Sequence, residues 1–113
     1  MNISKKMQDA FNAQIVAEMW SSNLYLQMSC WFRKEGWKGF SSWMYKQAEE
    51  ERQHAMDMAQ FVLHRGGEVV LTAIDAVKTD WADAKEVFVD TLAHEQNVTE
   101  LINRLADVAD EER

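Results

Sequence analysis

Met7, Phe11, Gln14, Glu18, Ser21, Tyr25, Met28 and Phe32 recur at alternating steps of four and three. That spacing lays side chains along one face of a helix and predicts a first helix over about residues 4–32. The stretch RKEGWKG then reads as a turn. A second seam, Phe40, Met44, Gln47, Glu51, His54, Met58 and Phe61, predicts a helix over about 39–65. Gly66 and Gly67 stop it behind a basic last turn. A third helix is expected over about 82–110, capped by Thr79 or Asp80. Its seam is Val87 or Phe88, Thr91, Glu95, Val98, Ile102, Leu105 and Val108.

Between the second and third helices, residues 66–81 carry GEVVLTAIDAVKTD, rich in β-branched residues and without a helical stripe. So long a connection needs a reason in a compact domain. Antiparallel helices need only a short loop, whereas parallel neighbours need a crossover the length of the bundle. A 27-residue helix rises about 40 Å, and fourteen extended residues reach about 45–50 Å. The first two helices are therefore expected to form a hairpin, with the third parallel to the second. The reading is all-α, one domain over residues 1–113.

Composition narrows the function. Of 113 residues, 47% are apolar, enough for one core. No apolar run reaches the roughly 20 residues of a membrane span, and the N-terminus has no signal-type segment, so a cytoplasmic protein without a membrane partner is expected. The lone Cys30 fits a reducing compartment and reads as a small core or interface residue. A net charge of −7 argues against nucleic acid and is compatible with cation binding. Proline is absent and the four glycines fall in two pairs, so breaks are few.

The chemistry lies in the seams. Glu18, Glu51 and Glu95 each occupy an apolar stripe, and helix lengths put all three near mid-height. Unpaired charges in such positions cost several kcal/mol each (order of magnitude), unless a cation joins them or some are protonated. Glu51-x-x-His54 also points a carboxylate and an imidazole at one place. Carboxylates with one imidazole per metal suit iron or manganese, with zinc as a competitor. Tyr25 reads as a core aromatic whose hydroxyl bonds Glu95, or as a redox or supporting residue. Gln14 and Gln47 are polar seam positions, either supporting the site or facing a solvated end. Glu50 points about 100° away from Glu51. His64 and His94 fall off the seams and are expected at the surface or an interface. Trp20, Trp31 and Trp43 do not fit one inward stripe and read as a partner surface or a broad buried face.

The stretches "AEMWSSNLYLQMS", "EEERQHAMDMAQFVLHRGGEVVLTAI" and "TDW…AHEQNVTELI" resemble, over essentially the whole chain, the first three helices of ferritins of the bacterial non-haem kind. The resemblance implies an up-down-down-up bundle with the long crossover, here without the fourth and fifth helices. It implies a di-iron site that oxidises Fe(II) with dioxygen or peroxide, in a homo-oligomer. In the complete family member twenty-four subunits form a shell storing ferric mineral, and a smaller oligomer is open for this chain. By matching motif, Glu18, Glu51 and His54 hold the first iron, and Glu95 with bridging Glu51 the second. Tyr25 stands near the centre and Glu50 at an accessory third site. No haem is expected, since Arg52 stands where the haem-ligating methionine would. The family's fourth helix would supply a further ligand and cover Ile102 and Leu105. The chain is thus expected to be a piece of a longer ferritin or to complete its bundle with another chain. Two functions follow: a ferroxidase within an iron store, or an oligomerising metal-binding module with little turnover. A peroxidase of the rubrerythrin kind fits less well, because Val98 stands where a second Glu-x-x-His would place its histidine.

Overall fold

A computed structural model describes residues 2–111 of the chain. It contains three helices and, among these residues, no strand: α1 Lys5–Lys34, α2 Lys38–His64 and α3 Ala84–Glu111. Ser4 starts α1 by accepting the Met7 amide at 3.1 Å, and Arg33 and Lys34 complement the dipole in its last turn. Gly36, at φ +88°, makes the left-handed step that lets the Trp37 amide reach back to the Phe32 carbonyl at 2.8 Å. Gly66 does the same after α2, at φ +74°. The cap of α3 is neither Thr79 nor Asp80: the Asp83 carboxylate accepts the Glu86 amide at 2.9 Å. Asp80 accepts the Trp31 indole N–H instead.

The contacts fix the directions. Ser22 and Ser29 of α1 donate to the Ala48 and Ser41 carbonyls of α2, so these two helices are antiparallel. Phe32 meets Phe88 while Tyr25, one level back, meets Glu95, so α3 is also antiparallel to α1 and hence parallel to α2. The crossover runs along α1 and is held by its polar side chains. Asn12 binds both the Glu68 carbonyl (2.9 Å) and the Val70 amide (3.1 Å), and Trp20 donates to the Ala76 carbonyl at 3.3 Å. Trp31 donates to Asp80 at 3.0 Å. An extended segment without a ladder thus has its backbone groups met by side chains. Trp20 and Trp31 both donate to this strap, while Trp43 is exposed.

Tyr25, Met28, Phe32, Met44 and Val87 are fully buried and form the core with Trp31 and Trp81. The backbones of α2 and α3 do not approach closely; side chains such as Phe40 and Phe88 bridge them at one end. Along the rest of α3, Ile102 is exposed and Leu105 half-buried. No helix among the described residues is long and apolar enough to cross a membrane.

Candidate metal centre

The hairpin of α1 and α2 brings Glu18 and Glu51 to one level, 2% and 7% exposed. His54, one turn beyond Glu51, places its Nδ1 3.5 Å from the Glu51 carboxylate and 3.7 Å from that of Glu18. One ligand atom from each of the three lies within 4.8 Å of the others. Oε2 of Glu18 and Oε2 of Glu51 are both sealed from solvent and have no hydrogen-bond partner. Such atoms are rare in folded proteins, and two beside one imidazole fit a divalent cation. The other oxygen of Glu18 accepts the Gln14 amide at 3.1 Å, which orients the carboxylate and gives this seam glutamine its reason.

Electrostatics agree with the geometry. The two sealed oxygens lack a partner only while both groups are ionised: burial, followed by a hydrogen bond with Glu18 and by that group's charge, pushes the Glu51 carboxyl up to about 8, so without a cation the pair holds a proton at neutral pH. The Tyr25 hydroxyl donates to Glu95, and burial together with that bond keeps the phenol protonated far above its ordinary range.

The three-residue cluster therefore contains Glu18, Glu51 and His54. Glu95 is exposed and stands outside it, joined to it by the Tyr25 hydroxyl and by its charge acting on Glu51. Glu50 is exposed on another face of α2, beside Lys46, Glu49 and Gln53. His54 keeps 55% of its side chain open.

His94 departs from the sequence reading. It is only 8% exposed, wedged between the Trp20 and Tyr25 rings at centroid distances of 5.5 and 5.6 Å. Its Nε2 is sealed and without a partner. Burial lowers the imidazole's pKa, against the pull of Glu95 and Glu18. The helical seam could not reveal this position, because the crossover and Trp20 cover a flank of α3 that lies off the seam. His64 is exposed, as expected.

A long-crossover bundle that sets glutamates and an imidazole on its inner seams is the architecture of carboxylate metal-binding helical bundles. This chain belongs to the ferritin-like domain family, whose model matches residues 8–113. It is 49% identical over 111 residues to a bacterial non-heme ferritin of Bacteroides fragilis (strain 638R), covering 98% of this chain and 70% of that one. A bacterial non-heme ferritin of Staphylococcus aureus (strain USA300) is 31% identical, over 98% of this chain and 67% of its own. The crystal structure of an open pore ferritin from Archaeoglobus fulgidus superimposes with a TM-score of 0.95 at 44% identity, over 98% of this chain and 68% of that one.

Proposed function

We propose that this chain serves iron storage, binding Fe(II) at Glu18, Glu51 and His54 with Glu95 beside them, and passing it to oxidation by dioxygen or peroxide. The observation that carries this reading is the pair of sealed, unpartnered carboxylate oxygens facing the His54 imidazole. The similarity to ferritins favours iron as the cargo over the zinc or manganese that the same donors accept. The relatives' family also makes a homo-oligomeric, cytoplasmic assembly the expected setting.

Each residue has a definite task. Glu51 holds a proton while the site is empty and gives it up as the cation enters, so binding releases acid. Gln14 fixes Glu18. Tyr25 keeps its O–H at neutral pH and holds Glu95 at the edge of the cluster, available as a ligand to a second ion. Glu50, on its exposed face, offers an accessory carboxylate. Bound iron supplies one-electron donation to the oxidant, and the buried carboxylates favour the higher charge that results.

The alternative is a metal-binding structural module with slow turnover. What favours it is the openness of the site, with His54 more than half exposed and α2 and α3 separated. Aerobic oxidation of stoichiometric Fe(II) decides between them. The ferroxidase reading expects oxidation well above buffer, lost in Glu51→Ala; equal, buffer-like rates in both proteins leave only the module.

A further inference from the structure

Gln14 lies one helical turn before Glu18 on α1 and is 6% exposed. Its amide nitrogen donates to Oε1 of Glu18 at 3.1 Å. A carboxylate oxygen only accepts, so the NH2 end of the carboxamide, and not its carbonyl, is the end turned to Glu18. The other oxygen, Oε2, is the one that approaches His54, 3.7 Å from Nδ1, and it is sealed from solvent. The two oxygens of one carboxylate are thus divided: a side chain of α1 holds the first, and the second is left to the cluster.

The number of oxygens a carboxylate gives bears on which cation it suits. Ca²⁺ takes about 6–8 oxygen ligands and accepts both oxygens of one carboxylate. First-row transition-metal ions such as Fe(II) suit an imidazole among their donors. With a single oxygen drawn from Glu18, the His54 imidazole is a larger share of the donor set, and the balance moves toward the transition metals.

On the metal-binding reading given above, we propose that Gln14 is a positioning residue that limits Glu18 to one donor oxygen and so favours transition-metal cations over oxygen-seeking ones such as Ca²⁺. Turning both oxygens of Glu18 onto one ion would break the Gln14 bond and leave a buried amide donor unpaired. None of the residues that share the flank groove of Gln14, among them Ala10, Ala17 and Leu101, carries a side-chain acceptor to replace it.

The test compares Co²⁺ and Ca²⁺ binding in the unmodified chain, in Glu51→Ala and in Gln14→Met, the last an unbranched side chain of similar length with no donor. Gln14→Met should lose about tenfold or more in Co²⁺ affinity, the usual scale for losing the partner that orients a ligand. Its Ca²⁺ affinity should hold or rise, so that the preference for Co²⁺ falls by the same factor. An unchanged preference, whether both affinities fall together or neither moves, overturns the inference. Should Gln14→Met lose helical content, Gln14→Asn, whose amide is one methylene short of Glu18, carries the same comparison. A Co²⁺ site that is absent from the unmodified chain, or that Glu51→Ala leaves intact, defeats the metal-binding reading itself. A site that needs Glu51 but keeps its preference in Gln14→Met defeats only the role of Gln14.

Discussion

The Tyr25 hydroxyl of α1 donates to the Glu95 carboxylate of α3, two residues that are 70 positions apart in the chain. This bond ties the third helix to the hairpin at the level where Glu18 and Glu51 face His54. Tyr25 is fully buried, and its ring also packs edge-on against His94. One side chain therefore sets both the register of α3 and the position of the Glu95 carboxylate beside Glu18, Glu51 and His54.

Tyr25→Phe keeps the ring and removes only the donor. The expected loss of stability is about 0.5–1.5 kcal/mol, that of one hydrogen bond. The larger expected effect is on a second bound ion, weakened about tenfold or more as Glu95 loses its orientation. Chemical denaturation and Fe(II) titration of the same variant separate the two. Equal affinities in both proteins would remove Tyr25 from the site.

The Glu51 carboxyl gives the cation-free protein a definite pH response. Its folded value of about 8 lies above its ordinary 4.5, so the folded chain binds the extra proton between these limits. Stability is then greatest below the ordinary value and falls as pH rises through about 8. Melting temperatures of the metal-free protein should decline from about pH 5 to pH 8, and Glu51→Gln should flatten the decline. A melting temperature that climbs over this range contradicts the assignment.

Adding a divalent cation at neutral pH should reverse that decline and release protons, because the ion replaces the proton that Glu51 holds. Calorimetry in buffers of different ionisation enthalpy measures the release directly. Proton-neutral binding would mean that Glu51 is already ionised in the empty site.

The crossover offers a separate check on the fold. Trp31→Phe removes the indole N–H that holds Asp80, along with part of a buried ring. A cost of about 1–3 kcal/mol is expected from a lost buried bond and a small cavity. Amide exchange should quicken across residues 66–81 before it does in α1. Uniform change along the chain would show that the strap is not a separate unit.

Much of this was legible in the sequence, for reasons that can be named. The four-and-three spacing is a direct image of helix geometry, and the length of the 66–81 stretch is a direct image of a parallel return. Glu51 and His54 stood out because a charge on an apolar seam contradicts the pattern around it. The α3 cap was misplaced by three residues or more, since Thr79, Asp80 and Asp83 are all acceptable capping residues and only packing chooses. Asp80 was recruited by Trp31, 49 positions away, a contact no local pattern encodes. His94 escaped for the same reason: its burial comes from Trp20 and the crossover, not from the periodicity of its own helix. Glu95 was placed at the right level, but its exposure and its attachment through Tyr25 depend on how far α3 stands from α2.

The central claim is that Glu18, Glu51 and His54 together hold a divalent cation. Anaerobic Fe(II) titration by calorimetry, on the unmodified chain and on Glu18→Ala and His54→Ala, tests it most directly. The tightest binding step should be present in the unmodified chain and absent from both variants, with helical content unchanged. If that step survives in either variant, the three residues do not form one site and the account fails.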